Sequence, residues 1–287
     1  MARCDSLDTI RSRQNSLLVE TGKLNDRKHR LRSGCFRFDG VKLMAEALRS
    51  GVALRAVLLR ASDAEQTVER VERLSGCPFP FEVRAVLLPD PLFAAMSDEQ
   101  APEGVICVAS FMTELHGRPS EEELLPMEGE RVVLLESVRD PSNLGAIIRS
   151  AAAFDVDRLI LSADCADIYN AKTVRASMGT LFTQRITRVE DLPRAITRLQ
   201  QCGRRVFAAA LDHTAHCLGT FAVRQSDCVV IGNEGHGLSE QTICACGQTV
   251  YIPMSERAES LNAAVAASVL MWHFTKDMSQ GGVTNEL

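Results

Sequence analysis

Three stretches of this 287-residue chain set polar side chains and glycine directly against apolar runs, the pattern of a ligand site at strand ends. In ESVRDPSNLGAIIRS, residues 136 to 150, Asp140-Pro141-Ser142-Asn143 is a turn and cap signal, so a helix is predicted to begin near Asn143. Arg149 follows six residues on, close to two helical turns, and shares roughly the face of Asn143. A capping asparagine and an arginine paired with some carboxylate would explain that motif equally well. The second stretch, IGNEGHGLSE from Ile231 to Glu240, places glycines in the order G-x-x-G-x-G after the apolar CVV. That order is not G-x-G-x-x-G, and no Lys-Ser or Lys-Thr follows as a P-loop requires. Glu234 sits inside the loop and would repel a phosphate, so a cationic or neutral ligand fits better. In the third stretch, YIPMSERAESLNAAVAASVLMW, Ser260 is the predicted N-cap of a helix whose first turn carries Asn262. No polar residue follows until Ser268, so that helix is predicted to be buried all round, with Asn262 at the edge of the core.

The elements that must position these residues alternate along the chain. RVVLLES is a continuous apolar run of the kind buried on both faces of a parallel sheet. NLGAIIRSAAAF, DRLILS, ITRLQQC, RVFAAAL, DCVVIG and TVYIPM then alternate helix and strand, and LNAAVAASVLMWHFT closes the series. Such alternation implies βαβ units and a mostly parallel sheet. An earlier set reads as a smaller α/β unit: GCFRFDG, LRAVLLR, FEVRAVLL and GVICVASF as strands, with VKLMAEALRSG, AEQTVERVERLSG and PDPLFAAMSDEQ as helices. Residues 1–112 are therefore expected to form one domain, opening with a frayed or helical lead-in of about twenty residues. Residues 113–130, rich in glutamate with two prolines, read as a linker. Residues 131–278 read as the second domain, and 279–287 as a disordered tail.

Composition narrows the class. Apolar residues make up 46% and charged residues 24%, as in ordinary globular proteins. No apolar run approaches a membrane span, and MARCDSLDTIRSRQNS lacks a signal-peptide core, so the cytoplasm is the expected location. The ten cysteines are scattered without a CxxC pair, and several fall in apolar strands, which predicts reduced, structural thiols. CAC at 244–246 and HTAHC at 213–217 lack a second ligand pair at zinc spacing, so no metal is expected. The net charge is −5, yet Gly22 to Arg60 holds ten Lys or Arg against three acids, +7, leaving −12 for the remainder. A basic segment on an acidic body predicts that this end meets a polyanion.

The three motifs in this order resemble those of the SpoU/TrmH branch of the SPOUT methyltransferases, carried here by DPSNLGAIIRSAAAF, IGNEGHGL and IPMSERAESLNAAVA. KTVRASMGTLF, Lys172 to Phe182, is similar to a segment between the family's first and second motifs. FRFDGVKLMAEAL resembles the ribosomal-protein-like RNA-binding domain often fused to it. The resemblance implies a mostly parallel sheet with a deep trefoil knot, preceded by a small ribosomal-protein-like α/β domain. It further implies S-adenosylmethionine held near Gly232, Ile252 and Leu261, with Ala210, Asn233 and Met254, and methyl transfer to a ribose 2′-hydroxyl of structured RNA, ribosomal RNA ahead of transfer RNA. Arg149 would then stand at the hydroxyl, with Asn143, Glu234, Ser260 and Asn262 around it, in a homodimer whose site is shared across the interface; Met271 and Trp272 are the expected interface residues. Arginine is too weak an acid to serve readily as a base, so Arg149 is expected to bind phosphate and stabilise the developing alkoxide, with the proton acceptor left open. RNA contacts are expected from Lys28, Arg30, Arg32 and Arg37, and from Arg175 and Ser177. Asp155, Ser142 and Glu256 depart from the family pattern, the first two where glycine is common. The competing readings are a non-catalytic RNA-binding or assembly protein on this fold, a base-nitrogen methyltransferase and a transfer RNA 2′-O-methyltransferase.

Overall fold

The computed structural model describes residues 3–117, 127, 129–212, 214–233, 235–255, 257 and 260–275. It divides into two compact units, and the division is not linear: residues Asp167–Thr183 cluster with Met1–Thr113, while the second unit comprises Glu114–Ala166 and Gln184–Leu287. The expected boundary near residue 112 thus acquires a second piece, a segment that sequence order assigns to the second domain.

The first unit contains β1 (Asp8–Thr9), α1 (Ser16–Lys23), α2 (Arg27–Ser33), β2 (Cys35–Asp39), α3 (Val41–Arg49), β3 (Leu54–Arg60), α4 (Ala64–Ser75), β4 (Arg84–Leu88), α5 (Asp90–Met96) and β5 (Val105–Ser110). Its five-stranded sheet has the order β1-β4-β3-β5-β2, parallel through β1, β4 and β3 and antiparallel at β5 and β2. The lead-in is more ordered than its sequence suggests, because β1 pairs with β4 and Ile10 and Leu18 enter the core. α4 shows the local logic: Ala64, Thr67, Val68 and Val71 recur on one buried face, and Gly76 at φ 68° ends the helix. The inserted segment is anchored by Tyr169, which stacks on Phe111 at 4.1 Å and whose hydroxyl accepts from the Met112 amide at 2.8 Å. Phe36, Phe38 and Phe182 pack beside it as tilted ring pairs.

The second unit contains β6 (His116–Gly117), β7 (Val132–Leu135), α6 (Pro141–Ala153), β8 (Arg158–Ser162), β9 (Arg185–Val189), α8 (Leu192–Gln201), β10 (Val206–Ala209), β11 (His216–Cys217), β12 (Cys228–Ile231), α9 (Glu240–Cys246), β13 (Gln248–Tyr251) and α10 (Ala263–Thr275); α7 (Ala171–Ala176) belongs to the inserted segment of the first unit. Its sheet order is β11-β13-β10-β12-β7-β8-β9-β6, and every pairing is parallel. β7 and β12 are buried at every position, which is why they read as unbroken apolar runs. β9 escapes such a reading because Arg185, Thr187 and Arg188 interrupt RITRV, with only Ile186 and Val189 buried. The core on one face joins Leu134, Ile160 and Val230 to Leu192, Ala195, Ile196 and Leu199 of α8, which Asp191 caps by accepting from the Arg194 amide at 2.9 Å. None of the ten cysteines is in a disulfide, and burial pushes the Cys228 thiol up to about 11. Cys244 and Cys246 lie on α9. No helix among the described residues is long and apolar enough to cross a membrane.

Candidate active site

In a parallel sheet all strands end on the same edge, so the loops leaving β7, β10, β12 and β13 converge. A cavity of about 570 Å³ opens there, within the range that holds a cofactor-sized ligand. Ala209 ends β10 and Ala210 and Leu211 follow it, Gly232, Asn233 and Gly237 follow β12, and Ile252, Met254 and Ser255 follow β13. Ser260, Leu261 and the apolar face of α10 (Ala263, Ala266, Leu270) complete it. The structure therefore brings Gly232, Ile252, Leu261, Ala210, Asn233 and Met254, together with Ser260, around one space. None of the described lining residues carries an ionised side chain at neutral pH. Such a lining fits S-adenosylmethionine, whose sulfonium is positive and which carries no phosphate. The Tyr251 phenol is raised above its usual range by its contact with the Cys217 thiol.

The glycine loop has a specific backbone reason. A Cβ on Gly232 would stand 2.4 Å from the Gly237 carbonyl carbon, 2.5 Å from its oxygen and 2.7 Å from the Leu238 nitrogen. Asn233 and Gly237 exchange backbone hydrogen bonds at 3.0 Å in both directions, closing a tight loop with Gly237 at φ 66°. Gly232 is thus required by chain against chain, whatever lies in the cavity. Asn233 braces the loop, accepting at Oδ1 from the amides of Gly235 (2.8 Å) and His236 (3.3 Å) and donating through Nδ2 to the Ser137 carbonyl at 2.8 Å. Glu234 lies outside the described residues, as does Glu256.

On the neighbouring helices, α6 begins at Pro141 and is capped by Asp140, whose Oδ1 accepts from the Asn143 amide at 2.8 Å. Asn143 is therefore inside the helix, which frees its side chain from the predicted capping role: its Oδ1 accepts from Asn262 Nδ2 at 3.0 Å. Asn262 in turn caps α10, its Oδ1 accepting from Ala264 at 2.9 Å, a role the sequence had suggested for Ser260. Ser150 and Ser268 share a hydrogen bond at 2.7 Å, the second polar tie between α6 and α10. Arg149, between these ties in sequence, is exposed, lies outside the cavity wall, and forms no ion pair among the described residues. α10 is not buried all round: Val265 is 49% and Trp272 55% exposed, seven residues apart on one face, whereas Met271 is fully buried.

Just after β8, Asp164 is drawn upward by partial burial, but hydrogen bonds from Ser137, Ser162 and Arg139 outweigh this and hold its carboxyl at about 2. Asp155, at a position where the family favours glycine, adopts φ 52°, the left-handed conformation that glycine takes freely and aspartate tolerates.

The expected RNA contacts divide sharply. Lys28 and Arg32 are exposed on α2. Arg30 is only 3% exposed: its Nη2 and Nε donate to Asp167 Oδ2 at 2.7 and 3.1 Å, and its Nη1 to the Leu24 and Asn25 carbonyls. Arg37 is buried and bonded to Asp39 and the Met96 carbonyl. Ser177 is buried and donates to the Val174 carbonyl at 2.7 Å. These three stabilise the first unit and present no donor to an RNA backbone, which corrects the expectation. Arg175 is partly exposed and pairs with Glu99 at 2.6 Å. Glu136 received no role from the sequence, although a carboxylate at the end of a parallel strand is a position where site residues gather.

Fold and site together define a parallel α/β unit with a cofactor-sized cavity at its strand ends, preceded in the chain by a smaller mixed α/β unit. Residues 130–272 match the SpoU rRNA Methylase family, and residues 15–107 an MRM3-like substrate binding domain. The chain is 28% identical over 264 residues to the 23S rRNA (guanosine(2553)-2′-O)-methyltransferase RlmP of Bacillus subtilis, covering 92% of this chain and 98% of that one. It is 30% identical over 263 residues to a 23S rRNA (uridine(2479)-2′-O)-methyltransferase of Streptomyces viridochromogenes, covering 90% and 88%. Its fold is similar to the AdoMet-bound rRNA methyltransferase of Sinorhizobium meliloti, with a TM-score of 0.77, 25% identity, and coverage of 95% and 98%. The chain belongs to the SpoU rRNA methylase family. It is accordingly an S-adenosylmethionine-dependent RNA methyltransferase.

Proposed function

We propose that this protein methylates a ribose 2′-hydroxyl of ribosomal RNA, with S-adenosylmethionine in the cavity at the ends of β10, β12 and β13. The observation that carries this reading is a cavity free of ionised side chains in its described wall, which includes Leu261 and Ala263 on either side of Asn262; Asn262 donates to Asn143 of α6, the helix that also carries exposed Arg149. When bound, the cofactor supplies an electrophilic methyl group. The chain's task is to align the hydroxyl and to stabilise the charge that grows on its oxygen. Arg149 serves the second end by offering its guanidinium to the ribose oxygen and the adjoining phosphate. Asn143 and Asn262 fix each other and so hold the first turns of α6 and α10, while Ser260 borders the cavity beside them. Glu234 orients Arg149 or takes the proton.

The same reading has the carboxy-terminal segment pass through a loop, giving the trefoil knot. What supports it is the return of α10, after β13, to pack on β12 and α6. The active unit is a homodimer in which Val265 and Trp272, together with Arg149, face the partner, and the protein works in the cytoplasm on assembling ribosomes. Lys28 and Arg32 contribute phosphate contacts, with Arg175 available once it leaves Glu99.

Arg149→Ala is the test. Transfer of labelled methyl groups to RNA should fall by about two orders of magnitude or more, while S-adenosylmethionine affinity by calorimetry stays within about threefold. Full activity would remove Arg149 from the mechanism. Mapping 2′-O-methyl positions in total RNA with and without the protein identifies the target, and a change confined to transfer RNA would overturn the ribosomal assignment.

A further inference from the structure

The cavity wall that follows β12 is fastened from outside the cavity by the two residues that follow β7. The Glu136 amide donates to the Ile231 carbonyl at 2.9 Å, where the glycine loop begins. The Glu136 carboxylate reaches the far end of that loop: Oε2 accepts from the Ser239 amide at 2.8 Å, and Oε1 accepts from Ser239 Oγ at 2.8 Å and Thr242 Oγ1 at 2.6 Å. Ser137, next in the chain, takes Asn233 Nδ2 on its carbonyl at 2.8 Å. The loop is thereby tied at its start, at Asn233 and at its end.

Ser137 aims that carbonyl from φ 55°, a conformation unfavourable for a residue with a Cβ. It is held there by two further bonds: its amide donates to Ser162 Oγ at 2.9 Å, and its hydroxyl to Asp164 Oδ2 at 2.6 Å. Glu136, Ser137, Ser239 and Thr242 are all absent from the cavity wall. Nor does the sheet depend on the carboxylate, because β7 and β12 pair through backbone groups from Val133 to the Glu136 amide. The arrangement sets the shape of the loop rather than the register of the strands.

We propose that Glu136 is a positioning residue for the cofactor: its carboxylate holds Gly232, Asn233 and Gly237 in the geometry that forms one wall of the cavity. The proposal rests on the reading of that cavity as the S-adenosylmethionine site. Glutamine cannot replace the side chain fully, since it keeps one acceptor for the hydroxyls but turns an N–H donor toward the Ser239 amide. Loss of one charge-assisted bond of this kind weakens binding by about tenfold or more. Because Asn143, Arg149 and Asn262 lie on other elements, the loss should fall on the cofactor and not on the transfer step.

The test uses the full chain carrying Glu136→Gln, with S-adenosylmethionine titrated by calorimetry and methyl transfer measured at varied cofactor and saturating RNA. The Kd and KM for the cofactor should rise about tenfold, with kcat within about threefold of the wild type. Thr242→Val removes one donor from the carboxylate while keeping the buried shape, so it serves if the first variant does not fold, and should shift Kd in the same direction. The Ser239→Ala change added to Glu136→Gln should weaken binding less than its effect alone multiplied in, since both remove one contact. A Kd within twofold of the wild type in each folded variant, or a fall in kcat matching the rise in KM, overturns the proposal. Leu261→Trp, which fills the cavity itself, separates the two readings. If it leaves cofactor binding intact, the cavity assignment falls; if it abolishes binding while the Glu136 and Thr242 variants do not, only the positioning role falls.

Discussion

Replacing Gly232 with alanine places a methyl group 2.4 Å from the Gly237 carbonyl carbon, against an ordinary contact of 3.4 Å or more. The three nearest atoms all belong to backbone, so no side chain can rotate away and the loop must yield by about 1 Å. Overpacking of this kind costs about 1–3 kcal/mol. The shift also opens the paired Asn233–Gly237 hydrogen bonds, worth about 1 kcal/mol each. A total of about 3–5 kcal/mol, borne by a loop that lines the cofactor cavity, weakens S-adenosylmethionine binding by about a hundredfold to more than a thousandfold. Calorimetric titration measures this directly, and circular dichroism checks that the sheet survives. Gly235→Ala is the matched control, because its added methyl meets only Asn233 Oδ1, at 3.5 Å. If Gly232→Ala binds the cofactor within twofold of the wild type, the argument from backbone proximity is refuted.

Further outcomes follow from the same geometry. Arg30→Ala leaves Asp167 partly buried without its partner and should cost about 3–5 kcal/mol of stability in thermal or urea melts. Lys28→Ala with Arg32→Ala should leave the melt within about 0.5 kcal/mol and flatten the salt dependence of RNA binding; an unchanged slope would exclude these two as phosphate contacts. Asp164 has a folded pKa of about 2, below its unfolded value, so its contribution is present above about pH 4 and is lost as pH falls toward 2. Asp164→Asn should therefore lower the melting temperature at pH 6 and narrow the gap to the wild type near pH 2. Asp155→Gly should change stability by no more than about 0.5 kcal/mol, whereas Asp155→Val should lose about 1–2 kcal/mol, because a β-branched residue resists φ 52°.

Much of the second unit was legible in the sequence because parallel strands buried on both faces leave unbroken apolar runs, as in Val132–Leu135 and Cys228–Ile231. The three motifs also fell at the strand ends their spacing suggested, since a parallel sheet collects its loops on one edge. What hid from it was local chemistry with more than one solution. Asp140, Asn143, Ser260 and Asn262 are all competent caps, and only the packing of α6 against α10 decides that Asp140 and Asn262 cap while Asn143 turns to meet Asn262.

The sequence alone determined the alternation of elements, the order of the motifs and the family they mark, because these depend on residue type and spacing. Only the tertiary structure decided which cations are surface and which are structural: Lys28 and Arg30 stand two residues apart on α2, yet one faces solvent and the other is spent on Asp167, 137 residues away in sequence. It also decided why Gly232 is glycine. The reason is the backbone of Gly237 and Leu238 folding back within van der Waals range, a distance that no one-dimensional pattern contains.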